Sequence, residues 1–365
     1  MLSFTQHISK IVIENFKQYH QCAFDLHQKL NIITGKNGVG KTNLLDAIYY
    51  SCFLKSNFSS SDLLVYHFSH QAIQLNTYIN IDEKIDRIKI NNLKDQKKQI
   101  SLNDIQIDRQ TEIASRYPII FIEPNDQEII LGTAEIRRKL IDATLSLSNP
   151  AHLTKSTEYQ RIIKQKNSLL KLLQTQTRID EALLDIYNQQ LITLNTYIFE
   201  NRSHFLEQFN TIFKQYHKNI FDGEENVFIQ YESKFINQDI KAFLIGKKQE
   251  EINAQKTLYG IHTDDITFNL NDYPAKKIAS QGQQKTIVLA TKLAQYEYIK
   301  LKTQKKPILF LDDIFDKLDM ERIKSLLSLV YQDNFGQIFI TYTDANRILS
   351  ILEQLKINDY KHIVL

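Results

Sequence analysis

The sequence predicts an α/β fold in which one sheet is built from both ends of the chain, with N-terminal antiparallel strands and an inserted helical subdomain. Three observations predict it. A glycine-bearing loop follows a short apolar strand near the start, and an apolar strand ending in two aspartates lies near the end. Between them, apolar residues recur at helical spacing. The chain has 365 residues, 42% of them hydrophobic, which is enough to build a substantial core and argues against wholesale disorder.

The elements follow in order. Residues 8–34 alternate apolar and polar, predicting two antiparallel strands that lead into a loop strand at Lys29–Thr34. Residues 72–108 alternate again and predict a small antiparallel sheet. Its Lys-rich turn, Lys94 to Lys98, reads as a solvated hairpin tip, since charge runs usually only solvate. Pro118–Ile122 reads as a short buried strand. From Thr133 to about Leu244 the period is helical, punctuated by Asn149-Pro150 and Gly223. Strand-like sequence returns at 258–270, followed by a helix at 280–301, a strand at 307–313, a helix at 321–332 and a strand at 337–342. The expected division is residues 1–132 and 246–365 for the two parts of the main domain, with 133–245 as the insertion.

The loop Gly35-Lys36-Asn37-Gly38-Val39-Gly40-Lys41-Thr42 fits G-x-x-x-x-G-K-[ST], between a strand and a helix beginning at Asn43. Glycine is scarce, 9 in 365, so shuffling this composition gives on the order of 10⁻³ matches and chance is a poor explanation. Gly35 and Gly40 let the backbone curl so that its N–H groups face a phosphate, and the helix N-terminus adds partial positive charge. Lys41 would reach the β- and γ-phosphates of ATP, and Thr42 would ligate Mg²⁺.

The acidic strand Ile308-Leu309-Phe310-Leu311-Asp312-Asp313 has the complementary chemistry. Asp312 can hold the metal, and Asp313 can orient and deprotonate an attacking water. Ser280-Gln281-Gly282-Gln283-Gln284 opens an amphipathic helix with Ser280 as its N-cap, presenting a hydroxyl, N–H groups and a positive helix end. Alone this would be an ordinary capped helix. His262 beside Asp264 and Asp265 invites a metal reading, but no further ligand cluster accompanies it.

The order of loop, Ser-Gln-Gly-Gln helix and Asp-Asp strand resembles an ABC-type P-loop ATPase head. The resemblance implies that Ser280, Gly282 and Gln283 of one copy cap the γ-phosphate bound by another, giving an ATP-dependent homodimer. Asp319 matches the segment that crosses that interface. The switch histidine of those heads is replaced, with Thr341 or Thr343 in its place. Further stretches narrow the resemblance to the RecF family, related to SMC heads. They are Asn37 to Ile48, Phe121-Ile122-Glu123-Pro124-Asn125-Asp126, Arg137-Arg138-Lys139-Leu140-Ile141-Asp142, Gly260-Ile261-His262-Thr263-Asp264-Asp265, Ser280 to Lys285 and Leu311 to Asp319. Thr263 departs from the arginine usual there. Ser280 lies 238 positions after Thr42, room for a helical lobe but not for the very long coiled coil of an SMC protein. Membership would imply slow ATP hydrolysis, binding of duplex, single-stranded and gapped DNA, and work with RecO- and RecR-type partners in recombinase loading during DNA repair.

Composition bounds these expectations. Net charge is only +3, so DNA contacts must come from local patches. Arg137, Arg138 and Lys164, with Lys139, Arg161, Lys166 and Lys171, supply such cations in the insertion, unless they pair with Glu and Asp on a helix surface. Cys22 and Cys52 form no metal spacing or disulfide framework, which with a polar N-terminus and no long apolar window predicts a cytoplasmic, reducing setting and no membrane partner. A transporter subunit would be expected to carry Leu-Ser-Gly-Gly-Gln, and a non-catalytic scaffold would not need Lys41, Asp312 and Asp313 together.

Overall fold

The computed structural model describes residues 6–59, 61–107, 113, 116–172, 181–220, 225–315, 320–332 and 334–365. Strands β1 (Gln6–Phe16), β2 (Tyr19–Asp25) and β3 (Leu30–Thr34) lead into helix α1 (Lys41–Phe53). Strands β4 (Ala72–Ile81), β5 (Lys84–Leu93), β6 (Gln99–Leu102), β7 (Ile105–Gln106) and β8 (Ile119–Ile122) follow. Helices α2 (Glu128–Leu131), α3 (Ala134–Ser148), α4 (Pro150–Leu172) and α5 (Glu181–Ile220) precede β9 (Val227–Glu232). Next come α6 (Ile240–Gly246), α7 (Lys248–Ala254), β10 (Asp265–Leu270), β11 (Tyr273–Pro274), α8 (Ala275–Ile278) and α9 (Gln281–Thr303). The chain closes with β12 (Ile308–Asp312), α10 (Met320–Tyr331), β13 (Ile338–Tyr342), α11 (Ala345–Gln354) and β14 (Lys361–Val364).

The chain divides into two compact units, residues 1–126 with 295–365, and residues 127–294. In the first, a five-stranded sheet of order β14-β3-β13-β12-β8 is parallel throughout. Every residue of β3, β8, β12 and β13 is buried, as expected of strands covered on both faces. A second, antiparallel sheet of order β2-β1-β4-β5-β6-β7 joins the two hairpin regions that sequence alternation marked separately. Helix α1 packs against both sheets. Leu44, Leu45 and Ile48 share one core with Ile11, Ile13, Leu75 and Ile90 of the antiparallel sheet and with Ile33, Phe310 and Phe339 of the parallel one. Each such fully buried side chain contributes about 1.5–3 kcal/mol, so α1 and the loop before it are held firmly in place.

The Lys-rich turn is not wholly solvated. Lys98 is only 13% exposed: its Nζ donates to Leu54 O at 2.6 Å, ion-pairs with Asp62 at 2.7 Å and lies over the Tyr50 ring. Lys94 and Lys97 remain exposed, because only the last residue of the turn faces the end of α1.

The second unit extends beyond the expected 133–245 on both sides. Long-range pairing is the reason. Strand β9, unmarked by the helical period, pairs antiparallel with β10, and Arg202 of α5 reaches Asp264 just before β10. Strand β14 was also illegible in the sequence, at four residues too short to show a period. Gly223, Lys317 and Asp319 lie outside the described residues.

Candidate nucleotide-binding site

The loop between β3 and α1 is shaped by its glycines. Gly35 and Gly40 adopt φ of 155° and 110°, the second as N-cap of α1. A Cβ at Gly40 would fall 2.1 Å from Gln18 Nε2, and one at Gly35 would fall 2.8 Å from Leu365 O. The N-cap is glycine and no side chain caps α1, an arrangement that suits an anion at a helix N-terminus. Lys41 is 7% exposed and turns its Nζ back to Gly35 O at 2.9 Å and Lys36 O at 3.1 Å.

Thr42 and Asp312, 270 positions apart, meet at the loop's edge. Thr42 Oγ1 donates to Asp312 Oδ2 at 2.9 Å. Thr341, one strand over on β13, donates from Oγ1 to Asp312 Oδ1 at 2.6 Å and accepts from the Asp313 N–H at 2.9 Å. Asp312 is 4% exposed. Burial pushes its carboxyl above the ordinary range and neighbouring Asp313 adds to the rise, while the Thr341 and Thr42 hydroxyls and Lys41 act the other way. Asp313 has φ 51° and lines a cavity of about 250 Å³ with Gln18, Asn37, Gly38, Gly40, Lys41, Thr42 and Asn43.

Gln18 and Tyr19 belong to no motif in the sequence. The tip between β1 and β2 is tied to α1 three times: Lys17 to Asp46 at 2.7 Å, Asn43 Nδ2 to Gln18 Oε1 at 3.0 Å, and Tyr19 Oη to Gly40 O at 3.1 Å. No spacing rule links residues 17–19 to 40–46, so only folding reveals this support.

In the second unit, Ser280 caps α9 as expected, and Gln283 completes a reciprocal capping box. Ser280 Oγ accepts from Gln283 N at 3.3 Å, and Gln283 Oε1 accepts from Ser280 N at 2.7 Å. Ser280 is exposed and Gly282 half-buried, while Gln283 also donates to Glu225.

The expected cations separate into two sets. Arg137 holds Asp265 with two bonds of 2.8 and 2.9 Å, Arg138 donates to Asp264 O at 2.5 Å, and Lys166 is buried against Glu251. Arg161 and Lys164 stand exposed on α4. On α5, Arg202 binds Asp142 at 2.8 and 3.0 Å, Asp264 at 3.3 Å and Ile261 O at 2.7 Å. His262 faces Tyr159, Asp264 faces Arg202 and Tyr231, and Asp265 faces Arg137, so the three diverge. Among the described residues no group of three or more His, Cys, Asp or Glu side chains is arranged to hold a metal ion, and no helix is long and apolar enough to cross a membrane.

Residues 7–362 match the RecF/RecN/SMC N-terminal domain family. The DNA replication and repair protein RecF of Flavobacterium johnsoniae is 37% identical over 353 residues, covering 95% of this chain and 97% of its own length. The protein of the same name from Bacteroides thetaiotaomicron is 33% identical over 355 residues, covering 97% and 95%. The solved structure of the recombination mediator protein RecF with ATP, of the RecFOR pathway, superposes with a TM-score of 0.86 at 25% identity, over 94% of this chain and 93% of that one. The Smc head domain of Pyrococcus furiosus, bound to the C-terminal domain of ScpA, gives 0.55 at 15% identity over 95% and 92%, a likeness of fold.

Proposed function

The chain belongs to the RecF family, as its motif order implied, and on that premise we propose that it is a slow Mg²⁺-dependent ATPase whose ATP-bound homodimer holds DNA during recombinational repair. The observation that carries this reading is the 2.9 Å meeting of Thr42 and Asp312 beside the phosphate-binding loop. A hydroxyl and a carboxylate are hard oxygen donors of the kind Mg²⁺ takes, and a buried carboxyl raised in pKa gains from a cation. When bound, the ion neutralises charge on the β- and γ-phosphates.

The chain's own residues do the rest. Residues Gly35 to Thr42 wrap the phosphates with backbone N–H groups, and Lys41 exchanges two carbonyl partners for phosphate oxygens. Asp313, at the wall of the same cavity, orients a water and accepts its proton. Ser280, Gly282 and Gln283 of a second copy close over the γ-phosphate, a role carried over from the ABC-type resemblance. RecO- and RecR-type mediators are the expected partners in recombinase loading at gapped DNA, in keeping with the RecFOR pathway of the ATP-bound relative. Arg161 and Lys164 are better placed than Arg137 and Arg138 to meet phosphates, since the latter pair is already engaged by the Asp264–Asp265 segment.

The test is sizing by light scattering with and without ATP and Mg²⁺. Asp313→Asn is expected to bind ATP, hydrolyse little and accumulate as a dimer, and Lys41→Met to lose ATP binding while staying folded. An Asp313→Asn protein that stays monomeric with ATP at every concentration would sink the shared-site reading.

A further inference from the structure

Thr341 is fully buried at the end of β13. Parallel pairing of β12 with β13 sets it opposite Asp312, so the place of its hydroxyl follows from the sheet register. A hydroxyl has one proton and two acceptor lone pairs. Here the proton goes to Asp312 Oδ1 at 2.6 Å, and the oxygen accepts the Asp313 N–H at 2.9 Å. One atom therefore links the two acidic residues of the site.

Asp313 needs such a link. Its φ of 51° lies in the left-handed region, which a side-chain-bearing residue occupies at a cost and keeps only when its surroundings hold it there. The bond from its amide to Thr341 holds that turn and keeps its side chain at the wall of the loop cavity. We propose that Thr341 is a positioning residue for ATP hydrolysis, its single hydroxyl fixing the cation-binding carboxylate of Asp312 and the water-facing carboxylate of Asp313 relative to one another. This rests on the roles given to Asp312 and Asp313 under the proposed function. Valine copies the shape of threonine without donor or acceptor, and serine keeps the hydroxyl.

The experiment compares wild type, Thr341→Val and Thr341→Ser as full-length protein. It measures ATP turnover, KM, affinity for a fluorescent ATP analogue without Mg²⁺, thermal unfolding, and hydrogen exchange of the peptide containing Asp313. Thr341→Val is expected to stay folded and to bind the analogue about as tightly as wild type. Its kcat should fall on the order of 10- to 100-fold, with a smaller change in KM, since small misplacements of reacting groups cost about that much. Its Asp313 peptide should exchange faster, and Thr341→Ser should restore both rate and protection. Should valine not fold, Thr341→Ala carries the same comparison with serine. Near-wild-type kcat in the valine or alanine variant, or serine as impaired as valine, overturns the role of Thr341. Absence of turnover in wild type overturns the ATPase reading itself, so the two failures are distinguishable.

Discussion

Lys41 and Arg202 are both buried cations, 7% and 2% exposed, yet they are paired in opposite ways. Lys41 donates to two neutral carbonyls of its own loop. Arg202 grips Asp142 with two parallel bonds and adds Asp264 and a carbonyl. A cation satisfied by neutral carbonyls can re-pair with a phosphate at little cost, because no ion pair is broken. A cation held by two carboxylates is a strut, since removing it strands Asp264, 2% exposed, without its buried partner. The same chemistry thus makes a site in one unit and a scaffold in the other.

Arg202→Met should have the largest effect. It should destabilise the protein by about 3–5 kcal/mol, the usual cost of removing one partner of a buried pair, with Tm falling by about 10 °C. Lys41→Met should leave Tm nearly unchanged. Equal Tm losses in the two variants, read by calorimetry, would erase the distinction.

A smaller effect comes from acid. Burial alone would raise the Asp142 carboxyl, but its bonds to His152 and Arg202 hold it down at about 2 from an ordinary 3.8. A lowered pKa stabilises the fold above the unfolded value, so this contribution is present above about pH 4 and is lost as pH falls through 2. It amounts to roughly 2 kcal/mol. Denaturant melts between pH 5 and 2 should show that loss in wild type and less of it in Asp142→Asn.

The smallest effect separates paired from exposed cations. Lys164→Glu should leave stability within about 0.5 kcal/mol and lower the salt dependence of DNA binding by about one unit of slope. Arg137→Glu should instead cost stability through Asp265. DNA binding unaltered at all salt concentrations by Lys164→Glu and Arg161→Glu together would remove α4 from the DNA surface.

Legibility followed the range of the interactions involved. The strands β1, β3, β8, β12 and β13 and helices α1 and α9 were readable because alternation, continuous apolar runs and a serine cap act within a few residues. Strand β9 was not, since it sits in a helical stretch and is stabilised by β10, more than 30 residues away in sequence. Arg137 and Arg138 read as available cations because their carboxylate and carbonyl partners lie more than 120 residues downstream. Lys98 read as solvated because Leu54 and Asp62 are equally invisible to a local window.

The parts of the candidate nucleotide site are legible without the fold. Gly35 to Thr42 and Asp312-Asp313 carry their chemistry in short motifs, because a phosphate-binding turn and a strand-end carboxylate are local structures. Their assembly depends on packing. Only the packed parallel sheet puts Thr42 and Thr341 on either side of Asp312, and only folding of the second unit commits Arg137 and Arg202 to carboxylates. Hydrogen bonds and ion pairs act over about 3 Å in space, whereas the residues they join here stand from tens to hundreds of positions apart along the chain.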